Sequence, residues 1–185
     1  MFLYLVSLFP FIIKRSTLKP YIRQSKESAI RILAAFLKST DAVVETHAYE
    51  VLRVLLDCGD CNPVITTHVL ICLGHLSAMG ITDVVSGQIP RIMSIILPSL
   101  AGSSQLRSAA LQCLGQLCTY VGYVIIPIEQ YPQLLPLLHG MLKREHSQFV
   151  RLQVIRLIGL LGALDPVRYQ VASIFQCFIH TLILY

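Results

Sequence analysis

A small residue recurs along this chain at a nearly constant interval. The series is Ala34, Gly74, Gly115 and Gly159, with spacings of 40, 41 and 44 residues. Around each member, large apolar residues hold the places four before it, one before it and two after it, and these offsets trace one face of a helix. Self-similarity at this period constrains the fold more than any other feature, because it is typical of repeats built from two helices.

The period predicts an all-α fold, an α–α superhelix of the HEAT type with about four helix pairs. One helix pair cannot bury its own apolar face, so neighbouring pairs stack and cover each other. We expect residues 1–185 to form a single array, with second helices near residues 21–38, 64–79, 104–121 and 147–163. First helices of similar length are predicted at Ala42–Asp57, Gly87–Leu100 and Gln130–Lys143.

Glycine and proline inside the predicted helices carry two further expectations. A glycine in a helix interior costs about 1 kcal/mol relative to alanine, so its recurrence at Gly74, Gly115 and Gly159 predicts a close approach of neighbouring helices. Pro98 and Pro136 fall within predicted first helices and should bend them.

The chain is rich in apolar residues and poor in charge. Apolar residues make up 55% and charged residues 14%, whereas ordinary domains carry about 25% charged residues. No apolar run reaches the roughly 20 residues that a membrane-spanning helix needs, so we expect no transmembrane segment and interpret the chain as part of a larger one. The apolar stretch Phe2–Ile13 is expected to be a first solenoid helix, and Val171–Tyr185 either a true helix or a non-native tail.

Net charge limits the class of partner, and cysteine usage limits the cellular compartment. The net charge of +5 comes from Lys and Arg spread along the chain, without the dense basic stripe of a nucleic-acid groove; it favours an acidic protein surface as partner and no nucleic acid.

Cys72, Cys113, Cys118 and Cys177 lie in apolar helical patterns, where free cysteines behave as buried hydrophobes. Such usage is typical of a reducing compartment, so the predicted location is cytosolic or nuclear, with the cytoplasm preferred.

One group of residues resembles a metal site. Cys58 and Cys61 form a CxxC, and His68, Cys72 and His75 follow on one helical stripe, so these side chains could offer zinc its preferred nitrogen and sulfur ligands. Burial against a neighbouring helix explains Cys72 equally well, because apolar residues hold its place in the other repeats. We favour burial and expect no metal and no cofactor.

Basic residues fall on two shared repeat positions. Lys26, Thr66, Arg107 and Arg151 share one, and Arg31, Ile71, Gln112 and Arg156 share the other. Stacked repeats would align them as a ladder on the docking face of the array. Two interpretations stay open: a binding site for an acidic partner segment, or hydrogen bonds from the arginines to carbonyls between repeats. The candidate partner-binding residues are Lys26, Arg31, Arg107, Arg151 and Arg156.

Two segments resemble known repeat families. Leu106–Leu117 and Val150–Leu161 are similar to the second helix of HEAT repeats, although the turns before them, Ala101–Ser104 and Lys143–His146, lack the usual Asp and leave the Asp–Arg pairing of those repeats open. The run from Gly115 to Tyr169 resembles more specifically the amino-terminal HEAT region of target-of-rapamycin (TOR) kinases. The residues that carry this resemblance are Thr119-Tyr-Val-Gly-Tyr-Val-Ile-Ile-Pro127, Tyr131-Pro-Gln-Leu-Leu135 and Arg156-Leu-Ile-Gly-Leu-Leu-Gly-Ala-Leu-Asp-Pro166.

The resemblance implies a scaffold that binds regulatory subunits of a kinase complex in nutrient and growth signalling, while catalysis lies in a distant carboxy-terminal domain. The chain has no Gly-rich phosphate loop, no His-Arg-Asp, no Asp-Phe-Gly, no Gly-x-Ser-x-Gly and no His-Glu-x-x-His. We therefore expect no enzymatic activity from this chain alone. The alternative is another HEAT adaptor, such as a phosphatase scaffold or a nuclear-transport receptor.

Overall fold

The regular structure of this chain is helical wherever it is described. The computed structural model describes residues 20–38, 47–59 and 62–163, and no strand occurs among them, so the predicted all-α class is confirmed for this part of the chain. The expectations for residues 2–13 and 171–185 lie outside it. The helices are α1 (Pro20–Leu37), α2 (Ala48–Asp57), α3 (Pro63–Ala78), α4 (Thr82–Ser86), α5 (Ile89–Ser99), α6 (Ser104–Gln116) with a π-helical extension (Leu117–Val121), α7 (Ile126–Gln130), α8 (Leu134–Arg144) and α9 (Gln148–Leu161).

Four helices pack in succession, which we call the stacked helices. Helix α1 contacts α3, α3 contacts α6, and α6 contacts α9. The flanking helices α2, α5 and α8 pack on α3, α6 and α9 respectively, and α5 also contacts α3. Among the described residues, no helix is long and apolar enough to cross a membrane.

Helix α3 lies at the centre of the core and is apolar around most of its circumference. Val69, Leu70 and Cys72 are fully buried, because α1 and α6 cover two sides of the helix and the flanking helices cover a third. Leu70 shares its repeat position with Ile30 and Leu111, and all three are buried. Burying a side chain of this size contributes about 1.5–3 kcal/mol, so the repeated position is a main source of stability.

Each of α3, α6 and α9 begins at a polar N-cap in the same repeat position. The caps are Asn62, Ser103 and Ser147, and each side chain accepts a hydrogen bond from a backbone N–H two or three residues further along, at 3.3–3.5 Å. Pro63 follows the first cap at the opening of the helix, where its missing N–H costs nothing. A cap of this kind stabilises a helix by about 1 kcal/mol, so local sequence sets where the stacked helices start.

The flanking helices differ from the prediction. The span predicted as Gly87–Leu100 begins only at Ile89, and the span predicted as Gln130–Lys143 is interrupted, with α8 beginning at Leu134. Pro136 is therefore the third residue of α8, in the first turn, where no intrahelical bond is lost; its predicted mid-helix position is wrong. Pro98 lies one residue before the end of α5, and the described part of α2 begins at Ala48.

A strained turn follows the π-helical extension of α6. Gly122 ends the extension in the left-handed conformation, with φ of 73°. Ile125 has φ of 63° and ψ of −53°, a conformation that costs a β-branched residue about 1–3 kcal/mol. Its backbone N–H donates to the carbonyl oxygen of Leu161 at 2.7 Å, so the strained residue ties this turn to the last turn of α9.

Of the repeated glycines Gly74 and Gly115, only Gly74 lies at a close contact between helices. A Cβ atom on Gly74 would collide with the side-chain oxygen of Gln116 and lie 3.5 Å from Cα of Cys113. At Gly115 the nearest atom to such a Cβ is Cδ1 of Leu160, at 3.9 Å. The expected close approach therefore holds at Gly74 and is wrong for Gly115, where a methyl group fits.

Gly115→Ala should stabilise the protein. The added Cβ meets only an ordinary contact, and alanine improves helix propensity by up to about 1 kcal/mol. The free energy of unfolding, measured with chemical denaturant, should rise accordingly. Gly74→Ala is the matched comparison: the same propensity gain is offset because Gln116 must move, so its increase should be smaller or absent. An equal gain at both positions would contradict the difference in packing.

Candidate functional site

A depression of about 480 Å³ lies on the solvent-facing side of the stacked helices α3, α6 and α9. Helix α3 contributes the apolar Ile71 and α9 the apolar Phe149. Helix α6, between them, contributes both small and amide side chains: Ser104, Gln105, Ser108, Ala109 and Gln112. None of its lining residues is acidic.

His68 is the ionisable side chain that lines the depression from α3. Partial burial lowers the pKa of His68, the nearby Arg31 guanidinium lowers it further, and Glu27 opposes them. The net effect favours the neutral imidazole.

The repeat position of Arg31 runs across all four stacked helices. Ile71 and Gln112 occupy it on α3 and α6 and line the depression, while Arg31 and Arg156 occupy it on α1 and α9 and are exposed. Neither of these arginines forms an ion pair with a described residue. The structure thus brings two of the predicted site residues to opposite ends of one row.

The other repeat position is used differently by its members. Lys26 is buried, and the Thr66 hydroxyl lies 2.7 Å from the carbonyl oxygen of Gly59, to which it donates. Arg151 is exposed on α9. Lys26 and Thr66 therefore do not contribute to an open basic surface, and this position does not form a continuous ladder in the described part of the chain.

Arg107 links two turns at the edge of the stack. Its Nη1 donates to the carbonyl oxygen of Gly102 at 2.7 Å, and its Nε and Nη2 donate to Oε2 of Glu145 at 3.0 and 2.7 Å. The Glu145 side chain is only 9% exposed and that of Arg107 25% exposed. Arg107 thus donates a hydrogen bond to a backbone carbonyl, as one of the two interpretations of the sequence expected. It also forms an ion pair with Glu145, which the sequence alone did not decide.

Glu145 lies in the turn before α9, where the resemblance to HEAT repeats leads one to expect an aspartate. Its Oε1 accepts a hydrogen bond from the backbone N–H of Ser147 at 3.3 Å. This bond is the main cause of a lowered pKa at Glu145. Burial opposes it, and the hydrogen bond and charge of Arg107 lower the pKa further. Sequence reasoning missed the pair because the turn has no Asp, although the single acid in Lys143–His146 was an available signal.

Glu145→Gln should lower stability at neutral pH and remove part of the acid sensitivity of the fold. Because the folded pKa of Glu145 lies below its unfolded value, its charge stabilises the protein above about pH 4.3, and this contribution is lost as pH falls through the folded pKa. The denaturation midpoints of wild type and variant should therefore converge at low pH.

The control for this prediction is Asp57→Asn in the exposed pair between Arg91 and Asp57, which are 3.2 Å apart and about half exposed. Screening by solvent makes such a pair weak, so its removal should change the midpoint less. A Glu145→Gln midpoint that stays parallel to wild type down to pH 3 would contradict the role assigned to the ion pair.

The residues considered for zinc do not form a site in the described part of the chain. No three His, Cys, Asp or Glu side chains there lie close enough to hold a metal ion, and Cys61 falls outside it. Cys72 is buried, and its thiol donates a weak hydrogen bond to the carbonyl oxygen of Ile30 at 3.9 Å. Burial raises the pKa of the Cys72 thiol to about 12, which keeps it protonated and suits a core residue.

The segment that resembles TOR kinases forms a packed corner after α6. Gly122 supplies the left-handed turn, and Tyr123 is buried, with its hydroxyl donating to Oε1 of Gln130 at 2.7 Å. Pro127 and Leu134 are also buried. The motif residues thus fix the connection between a stacked helix and the next flanking helix, which is a structural role.

Comparisons with known proteins agree with this segment and extend beyond it. Residues 124–176 match the family model described as Serine/threonine-protein kinase mTOR domain. The chain is 34% identical over 150 residues to Serine/threonine-protein kinase TOR2 of Saccharomyces cerevisiae, and 33% identical over 153 residues to Serine/threonine-protein kinase mTor of Drosophila melanogaster. Each alignment covers 80% of this chain and 6% of the relative.

The chain thus spans about 6% of the length of the curated relatives that it matches. The similarity includes the corner motif and continues through most of the helices described above. On these grounds the chain belongs to the target-of-rapamycin family of serine/threonine protein kinases.

Proposed function

We propose that this chain is a non-catalytic HEAT-type scaffold segment from the amino-terminal region of a TOR-like kinase of the phosphatidylinositol-kinase-related group. Its function is to bind protein partners, such as regulatory subunits of a complex in nutrient and growth signalling. The observation that carries this proposal is the solvent-facing side of the stacked helices, where α1, α3, α6 and α9 present residues of one repeat position side by side.

Several features support an array of about four helix pairs over residues 1–185. The N-caps share a repeat position, and so do the buried Ile30, Leu70 and Leu111. Ile155 holds the same position on α9 but is 52% exposed, so the described residues leave uncovered a face that is covered on the three earlier helices. This pattern fits a stack in which each helix is covered by the next.

The depression offers binding groups rather than catalytic ones. Its Ser108 hydroxyl donates to Oε1 of Gln153 at 3.1 Å, and Ser147 caps α9, so neither is paired with His68. A nucleophilic hydroxyl needs a base within hydrogen-bond reach. The arrangement therefore supports a surface that recognises a partner, with catalysis located elsewhere in the kinase.

Family membership also favours a kinase scaffold over the phosphatase-scaffold and nuclear-transport alternatives. For the compartment we propose the cytoplasm. The free thiols of Cys72, Cys113 and Cys118 are buried, which suits a reducing environment.

Cross-linking in cells tests the proposal. A photoreactive amino acid in place of Gln112 should cross-link to another protein, because Gln112 is exposed beside the depression. Replacing Arg31 and Arg156 together with glutamate should reduce that cross-link at least several-fold while the helical circular-dichroism spectrum stays unchanged. Both arginines are exposed, so the fold should tolerate the change.

The matched control reverses two exposed arginines on the flanking helices, Arg53 on α2 and Arg144 on α8. This variant carries the same change of net charge and should keep the cross-link. An equal loss in both double variants would assign the effect to net charge. An unchanged cross-link in the Arg31 and Arg156 variant would show that the two arginines do not contribute to binding, and the absence of any cross-link from Gln112 would contradict the proposed docking face.

A further inference from the structure

The two end helices of the described stack are exposed at positions that are buried in the helices between them. Ile32 on α1 is 54% exposed. Its equivalents on the three later stacked helices are all buried: Cys72, Cys113 and Leu157. The reverse holds for Ile155, which is exposed on α9 while its equivalents on the three earlier helices are buried. Each end of the stack thus presents an apolar side chain at a position that the inner helices use for packing.

Contacts inside the stack show that the position of Ile32 faces the preceding stacked helix. The thiol of Cys72 on α3 lies 3.9 Å from the backbone carbonyl oxygen of Ile30 on α1. A Cβ atom on Gly74 of α3 would lie 3.5 Å from Cα of Cys113 on α6. Cys72 and Cys113 therefore both face backward along the stack. By the same register, Ile32 lies on the side of α1 that faces away from α3.

The position of Ile155 faces the following stacked helix. Ile30 shares this position, and its contact is with α3. Ser108 on α6 donates a hydrogen bond to Oε1 of Gln153 on α9 at 3.1 Å, and Leu152 shares the repeat position of Ser108. Leu152 is 56% exposed and lies one turn before Ile155 on the same face of α9. These two residues therefore form an apolar face that the earlier helices turn toward their successor.

We propose that α9 of one copy of this chain packs on α1 of a second copy, in the register of the internal junctions. Leu152 and Ile155 of one copy would then be buried against Ile32 and Ala35 of the other, and burial of apolar surface drives the association. The contact continues the interface that joins the stacked helices within one chain. Because its two surfaces differ, the association is head-to-tail and can extend beyond a dimer. None of these four residues lines the depression, so the inference goes beyond the proposed docking function and does not depend on it.

Charge at this junction opposes association at low salt. Arg31 and Arg156 share one repeat position, so the junction puts Arg156 of one copy beside Arg31 of the next. Each copy also carries a net charge of +5. Salt screens repulsion of this kind, with a screening length of about 10 Å at 0.1 M. Association of two copies should therefore strengthen as salt is raised, whereas an acidic partner on the same face would bind more weakly.

Sedimentation velocity of the purified 185-residue chain tests the proposal. The average mass should rise with protein concentration, and more steeply at high salt than at low salt. Ile155→Lys and Ile32→Lys should each raise the concentration needed for association about tenfold or more, because each puts an unpaired charge into an apolar contact. Tyr49→Lys is the matched control: Tyr49 lies on the flanking helix α2 and is 61% exposed, so the same change of charge there should leave association unaltered.

A mixture of the two end variants distinguishes a head-to-tail contact from other kinds. The Ile155→Lys chain keeps its α1 surface, and the Ile32→Lys chain keeps its α9 surface. An equimolar mixture should therefore form a 1:1 dimer and nothing larger, whereas wild type should form longer species. The circular-dichroism spectra of the variants should match that of wild type, since the replaced side chains are exposed.

Three outcomes would overturn the inference. A wild-type chain that stays monomeric at every concentration and salt would show that no second copy packs on these faces. Dissociation by Ile155→Lys but not by Ile32→Lys would indicate a symmetric contact between two α9 helices. Association that survives both substitutions would show that copies meet on another surface. The cross-link from Gln112 reports separately on the proposed docking function, so either proposal can fail while the other stands.

Discussion

The packing of α3 between α1 and α6 is the contact on which the rest of the structure depends. A helix that is apolar on nearly every side is not stable alone in water, because helical stability in proteins comes mostly from tertiary packing. Its neighbours repeat the same pattern one period away, with Ile30 and Leu111 in the place of Leu70. Consecutive helices therefore bury each other's apolar side chains, and each stacked helix is stabilised by its neighbours.

Hydrogen bonds and an ion pair of polar groups hold the turns at the edges of the stack in position. The N-caps of α3, α6 and α9 satisfy backbone donors locally, while Arg107 joins the turn before its own helix to Glu145 in the turn before the next. This ion pair is largely shielded from solvent. It links the turns that precede α6 and α9, two of the three helices that line the depression.

The solvent-facing side consists of the side chains that do not pack into the core. With the apolar stripe of α3, α6 and α9 turned toward the core, many of the residues left outside are small, hydroxyl-bearing or amide-bearing. They are joined by isolated apolar side chains and by the exposed Arg151 and Arg156 of α9. Such a surface suits the recognition of another chain that is proposed above. The chain spans about 6% of its relatives, and under the proposed function this segment would contribute by presenting surface.

Much of this was predictable from the sequence, because the repeat period and the position of apolar residues depend only on helical geometry. The period predicted the stacked helices, and the corner motif around Tyr123 indicated the family. The flanking helices were predicted less well, since residues near Pro136 match more than one helix start. Among the predicted site residues, Arg31 and Arg156 are exposed and share the repeat position of Ile71 and Gln112, which line the depression. The buried Lys26 shows that one repeat position can serve different purposes in successive helices.

What the sequence by itself determined is which residues of each helix face inward and where the stacked helices begin. Only the tertiary structure decided how neighbouring helices pack. Gly74 lies at a tight contact between helices and Gly115 does not. Arg107 pairs with Glu145, which is 38 residues further along the chain, and a depression lies between α3, α6 and α9. The physical reason is that a periodic pattern records the direction of each side chain about its own helix axis. The distances between side chains on different helices depend on how those helices pack, and no single helix carries that information.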